Sequence, residues 1–103
     1  MTSKLSSKKL AVLGTGKLGG ILLRAYLKQG LFVPKNVTAT VRHEEKAAAL
    51  AKELGVSATT DNRKAVRGAD IVILGVKPQV VGDVLKEIKP ELEKETLVIS
   101  VAA

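Results

Sequence analysis

An apolar strand pattern that runs straight into a glycine-rich turn, and then into an amphipathic helix, constrains this chain more than any other feature. Residues 10–20 read LAVLGTGKLGG and contain the pattern Gly14-x-Gly16-x-x-Gly19. In this context the first glycine permits a tight turn, the second lets the backbone approach a pyrophosphate, and the third lets the helix pack against the strand. Free N–H groups at the start of the helix favour a phosphate. The segment therefore predicts a dinucleotide site; the alternative is a purely structural strand–helix turn.

The composition is that of a small, basic globular chain. Its 103 residues have a formal net charge of +7, and 46% of them are hydrophobic. One domain is the expectation at this length. A basic domain raises the question of nucleic acid, but the cationic residues are scattered and the aromatic residues are limited to Tyr26 and Phe32. Because no stacking platform for bases is visible, no nucleic-acid partner is predicted.

Cysteine and long apolar runs are both absent from the sequence. The chain has no thiolate chemistry and fits a reducing compartment, so a cytoplasmic location is expected. No apolar run approaches the ~20 residues that span a bilayer, so no membrane partner is expected. Residues 1–9 have charge without the apolar segment of a signal peptide and are predicted to be a basic arm. His43 is the single histidine, so no metal site is predicted.

Strand and helix patterns alternate along the chain from residue 9 onward. The predicted strands are Lys9–Leu13, Val37–Val41, Val56–Thr59, Asp70–Val76 and Thr96–Val101. The predicted helices are Lys17–Gln29, Glu44–Leu54, Asn62–Arg67 and a fourth that begins at Pro78 and breaks near Pro90. Such alternation predicts an α/β fold of the Rossmann type, with a parallel sheet in the order 3-2-1-4-5 and helices on both faces.

Several local signals refine this prediction. Asp61 is a predicted N-cap, and Gly30, Gly55 and Gly68 are predicted helix stops. The β-branched runs Ile71–Leu74 and Leu97–Ile99 suit central strands that are buried on both faces. The strand Val37–Val41 mixes in threonines and is expected to be less deeply buried.

The organisation of the chain predicts a cofactor-binding module. In sheets of this type ligands bind at the carboxyl ends of the strands, and a substrate domain usually follows. Residue 103 comes just after the fifth predicted strand. We therefore expect residues 10–103 to form a dinucleotide-binding domain that belongs to a longer protein.

The end of the second strand bears on which dinucleotide is bound. NAD sites place Asp or Glu there to hold the ribose 2′-hydroxyl, whereas this chain has Thr40-Val41-Arg42-His43. Arg42 is able to bind a 2′-phosphate with two hydrogen bonds, Thr40 to donate its hydroxyl, and His43 and Lys46 to add charge. The sequence therefore favours NADP(H), unless Arg42 is merely a solvated loop residue.

Three later motifs extend the pattern: Thr60-Asp-Asn62, Val76-Lys-Pro-Gln79 and Ser100-Val-Ala-Ala103. Together with the glycine turn they resemble the N-terminal domain of pyrroline-5-carboxylate reductase, over about residues 10–103. That family reduces 1-pyrroline-5-carboxylate to proline by hydride transfer from NAD(P)H. The resemblance implies cofactor-binding roles for Gly14, Thr15, Gly16, Lys17, Leu18 and Gly19 at the pyrophosphate, Thr40, Arg42 and His43 at the 2′-phosphate, Asn62 at the adenosine ribose, Val76, Lys77 and Pro78 at the nicotinamide-side ribose, and Ala102 and Ala103 at the nicotinamide ring.

The chain departs from that family in one respect. Family members have a C-terminal helical domain that dimerises and supplies most of the imino-acid pocket, and no such domain is present in these 103 residues. The resemblance therefore implies a homo-oligomeric, full-length enzyme whose imino-acid substrate binds through the missing domain. No residue here is a credible acid, base or nucleophile, so no catalytic residue is predicted. Two alternatives stay open: a non-catalytic NADP-binding module, and the cofactor domain of a coenzyme F420-dependent NADP oxidoreductase.

Overall fold

The computed structural model describes residues 7–15 and 17–101, with only the backbone described at Lys17 and Leu18. The strands are β1 (Leu10–Leu13), β2 (Val37–Thr40), β3 (Ser57–Thr59), β4 (Ile71–Leu74) and β5 (Leu97–Ser100). The α-helices are α1 (Lys17–Lys28), α2 (Glu44–Leu54), α3 (Asn62–Val66) and α4 (Val81–Ile88). Short 3-10 turns occupy Pro34–Asn36, Pro78–Val80 and Lys89–Glu91.

The strands form one parallel sheet in the order β3-β2-β1-β4-β5. The α/β fold and this strand order were both predicted from the sequence, and both are confirmed. The chain places β2 and β3 on one side of β1 and then β4 and β5 on the other, so the strand order reverses beside β1. The carboxyl ends of β1, β2 and β4 therefore meet at one edge, which is where a ligand binds in such sheets.

The core has two halves, one on each face of the sheet. On the first face, Leu23 of α1 and Leu50 of α2 pack against Leu10, Val12 and Val37. On the second face, α3 and α4 cover the alternate side chains of β1 and β4. That half contains Ala11, Leu13, Ala65, Val66, Ala69, Val72, Leu74, Val84 and Ile88. This alternation along β1 and β4 is the burial on both faces that central parallel strands require.

The predicted burial of two strands needs correction. Strand β2 is more deeply buried than its threonines suggested, because Val37, Ala39 and Thr40 are all at most 3% exposed. Strand β5 is less buried than its β-branched run suggested, because it lies at the edge of the sheet. Leu97 is 55% exposed and Ile99 is 40% exposed. The two runs look alike in sequence, but their neighbours in the sheet differ.

The fourth helix also differs slightly from its prediction. Residues Pro78–Val80 form a 3-10 turn, and the α-helix begins only at Val81. It ends at Ile88, before the predicted break at Pro90. No helix in the described ranges is long and apolar enough to cross a bilayer.

Helix α3 has only five residues and depends on its cap. The Asp61 carboxylate accepts hydrogen bonds from the backbone N–H groups of Arg63 and Lys64 at 3.0 and 3.2 Å. We expect Asp61→Ala to lower the free energy of unfolding by about 1 kcal/mol, because these two N–H groups lose their acceptor. Urea denaturation followed by circular dichroism measures this change. Asp61→Asn keeps an acceptor and is the matched control; an equal loss in both variants would contradict the capping role.

Candidate cofactor site

The glycine turn links the end of β1 to the start of α1. Gly14 has a φ of 71°, which is in the left-handed region that disfavours side chains. A Cβ added to Gly14 would overlap Cγ1 of Val76 and lie 3.2 Å from the Val76 Cα. Both backbone conformation and space therefore require glycine at this position.

Two further glycines pack around the carbonyl oxygen of Gly14. A Cβ added to Gly19 would lie 3.1 Å from that oxygen, so α1 lies close to the turn, which is the packing role that the fingerprint assigns to its third glycine. A Cβ added to Gly75 would lie 3.0 Å from the same oxygen and 3.4 Å from the Gly19 Cα. Gly75 was missed in the sequence analysis. Its signal was a glycine placed directly after the buried run of β4.

Thr40 is tied to the turn rather than exposed beside it. Its hydroxyl oxygen accepts a hydrogen bond from the Gly14 N–H at 2.8 Å, and its carbonyl oxygen accepts one from the Thr15 N–H at 2.7 Å. Only 3% of Thr40 is exposed. The side chain is therefore held against the turn as an acceptor, and donation by its hydroxyl to a 2′-phosphate stays a prediction.

The same bonds determine which backbone groups of the turn are left for a ligand. The N–H groups of Gly14 and Thr15 both donate to Thr40, so they are not available to a phosphate. The first four N–H groups of an α-helix have no acceptor within the helix. The first turn of α1, from Lys17 to Gly20, is consequently the source of donors that fits a pyrophosphate. Gly16 and the side chains of Lys17 and Leu18 lie outside the described residues.

The loop from β2 to α2 exposes an arginine and a histidine side chain. Arg42 and His43 both have exposed side chains, and no acidic residue stands at the end of β2. Glu44 follows in the first turn of α2, where its Oε1 accepts a hydrogen bond from the Thr60 hydroxyl at 2.9 Å. The carboxylate nearest in sequence to the end of β2 is thus engaged by the Thr60 hydroxyl.

A cleft of about 190 Å³ lies between α1 and α2 and reaches both the glycine turn and the end of β2. Its lining consists of Thr15, Arg24, Val41, Lys46, Ala49, Leu50 and Glu53. Arg24 donates to both carboxylate oxygens of Glu53, at 3.0 and 3.1 Å. This hydrogen bonding, with the charge of Arg24, lowers the pKa of Glu53. Lys46 forms no ion pair within the described part of the chain, so its charge is available to an anion in the cleft.

The remaining predicted residues fall at two places along the carboxyl edge. Val76 packs directly over Gly14, and Lys77 is exposed immediately before Pro78, which begins the 3-10 turn. The Asn62 amide instead donates to Glu87 of α4 at 3.0 Å. The structure therefore brings Val76 to the glycine turn and ties Asn62 to α4. Ala102 and Ala103 lie outside the described residues.

Known proteins resemble this chain over almost its whole length. The family model described as NADP oxidoreductase, coenzyme F420-dependent, matches residues 9–103. A pyrroline-5-carboxylate reductase of Methanosarcina acetivorans is 39% identical over 99 residues, which are 96% of this chain and 37% of that protein. The chain thus spans little more than a third of the relative's length.

Two solved structures share the fold described above. The pyrroline-5-carboxylate reductase of Coxiella burnetii superimposes with a TM-score of 0.86 at 30% identity, over 94% of this chain and 36% of that one. The pyrroline carboxylate reductase of Plasmodium falciparum, solved with NADP bound, gives a TM-score of 0.79 at 26% identity, over 95% and 34% of the two chains. The resemblance seen in the sequence motifs is confirmed.

Proposed function

Since the chain belongs to the family of coenzyme F420-dependent NADP oxidoreductases, we propose that it is the NADP(H)-binding domain of an oxidoreductase. One observation carries the proposal: the turn between β1 and α1 is packed so closely against β4 and α1 that a side chain would clash at Gly14, Gly19 or Gly75. A purely structural turn would not need two glycines packed against one carbonyl oxygen and a third beneath Val76. A pyrophosphate held on the first turn of α1 does need a bare backbone beside it.

The reaction that we propose for the full-length protein is reduction of 1-pyrroline-5-carboxylate to proline. The similarity to pyrroline-5-carboxylate reductases of both known sequence and known structure supports this choice. The cofactor supplies the hydride, and the protein contributes position and electrostatics. Within the described residues the polar side chains at the carboxyl edge are suited to binding a nucleotide. The imino-acid pocket is therefore proposed to lie in another domain of a longer, homo-oligomeric and cytoplasmic enzyme.

The residues divide the cofactor between them in this proposal. The first turn of α1 holds the pyrophosphate, and Arg42 with His43 and Lys46 holds the 2′-phosphate. Asn62 lies at the adenosine ribose, once its amide leaves Glu87. Val76, Lys77 and Pro78 lie at the nicotinamide-side ribose, with Ala102 and Ala103 at the ring.

A second candidate is the cofactor domain of an F420-dependent NADP oxidoreductase, which the description of the matching family favours. Both candidates use the same cofactor and the same glycine turn. They differ in the second substrate, so a full-length protein assayed with 1-pyrroline-5-carboxylate and with coenzyme F420 separates them. If neither substrate is turned over, a third hypothesis gains support: that the protein is a non-catalytic NADP-binding module.

The experiment that tests cofactor binding is a calorimetric titration of the chain with NADPH and with NADH. We expect both to bind and NADPH to bind at least tenfold more tightly, because the loop after β2 offers cations and no free carboxylate. Equal affinity for the two would contradict the NADP(H) preference. Failure of both to bind the folded chain would contradict the proposed function of this domain.

Lys46 provides a further prediction about the cleft between α1 and α2. We expect Lys46→Ala to weaken NADPH binding about two- to fivefold, the range for an exposed charge pair, and to leave NADH binding unchanged. The loss shrinks as salt is raised, because an exposed pair is screened. Lys52→Ala removes a charge from the last turn of the same helix and is the control. Equal losses in the two variants would mean that Lys46 acts only through net charge.

A further inference from the structure

We propose that Thr40 is the residue that positions the pyrophosphate-binding turn, and that it does so through its side-chain hydroxyl. This inference rests on the proposed cofactor function and goes beyond it, since it assigns to the buried end of β2 a role distinct from that of the exposed Arg42. The residue contacts the turn, and the turn contacts the cofactor.

The hydrogen bonds of Thr40 extend the β1–β2 pairing beyond its regular part. The register of the two strands ends at Val12 opposite Ala39. After that point the backbone of Thr40 accepts from the Thr15 N–H at 2.7 Å, and its hydroxyl accepts from the Gly14 N–H at 2.8 Å. Two consecutive N–H groups of the turn are therefore held by a single residue of β2.

Thr40 is itself held from the opposite side. It pairs with Thr59 of β3, and the following N–H, that of Val41, donates to the Thr59 carbonyl oxygen at 3.1 Å. Because the residue is 3% exposed and fixed between two strands, its hydroxyl oxygen is a rigid acceptor. A rigid acceptor fixes the direction in which the Gly14 N–H points, and thereby where the turn begins.

The hydroxyl is separable from the rest of the side chain by substitution. Valine has nearly the same shape but no acceptor, so Thr40→Val leaves the partly buried Gly14 N–H without its partner. Serine keeps the acceptor and loses a methyl group. The backbone bond to Thr15 is unaffected by either change. Differences between the two variants therefore report on the single bond to Gly14.

The consequence for binding follows from which part of the cofactor the turn touches. The pyrophosphate is common to NADPH and NADH, whereas the 2′-phosphate belongs to NADPH alone. Loosening the turn should weaken the binding of both cofactors by the same factor. We expect about a tenfold loss for each in Thr40→Val, because the released turn then adopts its binding conformation only about a tenth of the time, with the NADPH-to-NADH preference unchanged.

The test combines amide hydrogen exchange in the free chain with calorimetric titration of NADPH and NADH. Thr40→Val should speed exchange at Gly14 and lower both affinities equally, and Thr40→Ser should restore wild-type behaviour in both measurements. Thr38→Val is the control. Thr38 lies two residues earlier on the same face of β2 and its hydroxyl bonds to none of the described residues, so its replacement should change neither measurement.

The outcomes distinguish this inference from the function on which it rests. If the wild-type chain binds the cofactors and Thr40→Val binds them equally well, the positioning role is overturned and the proposed function stands. A selective loss of NADPH affinity would also overturn it, because Thr40 would then act at the 2′-phosphate. If the wild-type chain binds neither cofactor, the proposed function fails and this inference with it.

Discussion

Replacing Gly14 by alanine should destabilise the chain by about 2–5 kcal/mol and remove cofactor binding. The left-handed backbone at φ 71° costs an alanine about 1–2 kcal/mol. The overlap with Val76 adds about 1–3 kcal/mol, because the added methyl group lies 3.2 Å from backbone atoms that cannot turn aside. Urea denaturation measures the stability, and titration with NADPH measures binding.

Gly30 offers a matched control for this substitution. Its φ is 72°, and a Cβ added there meets nothing within 4 Å. Gly30→Ala therefore carries the backbone strain without the overlap, and the difference between the two variants isolates the packing around Gly14. Equal destabilisation would show that the close approach to Val76 has no energetic weight. Full NADPH affinity in Gly14→Ala would contradict the role of the turn in binding.

The local signals in the sequence predicted the elements well. Helix α2 has the predicted bounds Glu44–Leu54, because its apolar periodicity ends at a glycine that the backbone uses as a stop with φ 73°. The Asp61 cap is confirmed for the same reason: the acceptor and its two donors lie within three residues of each other. Strand order was also predictable, since alternating strands and helices with right-handed crossovers leave few arrangements.

Properties that depend on distant neighbours were not predictable in this way. The runs in β4 and β5 have the same β-branched character, yet β4 is central and β5 lies at an edge with Leu97 and Ile99 exposed. The burial of a strand or helix depends on which other elements pack against it, and those partners cannot be identified from a single sequence.

In the candidate site, too, local features could be predicted from the sequence, whereas contacts between distant residues could not. Gly14 and Gly19 could be predicted because both belong to a local glycine pattern beside a strand end. The partners of those glycines could not, because Thr40 lies 26 residues from Gly14 and Gly75 meets Gly14 only when β4 pairs with β1. The sequence analysis therefore assigned Thr40 to the 2′-phosphate because of its residue type. Its hydrogen bond to the glycine turn is visible only in the folded chain.

Arg42 should decide the preference between the two cofactors. We expect Arg42→Ala to weaken NADPH binding about tenfold or more, because hydrogen bonds to a charged group contribute about 1.5–3 kcal/mol each and 1.4 kcal/mol corresponds to tenfold in affinity. NADH lacks the 2′-phosphate, so its affinity should change by less than about twofold. Parallel titrations of the wild-type and variant chains measure the affinities for NADPH and NADH. The NADPH-to-NADH affinity ratio is then compared between the two chains.

The control for Arg42 removes the same charge at another place. Arg67 follows α3, forms an ion pair with Glu91 at 2.9 Å and lies toward the amino ends of the strands. Arg67→Ala should leave the affinity ratio unchanged, since both variants lower the net charge equally but only Arg42 stands beside the end of β2. Equal losses for NADPH and NADH in Arg42→Ala would contradict its assignment to the 2′-phosphate. The preference would then have to come from Lys46 and the cleft between α1 and α2, which the Lys46→Ala titration measures separately.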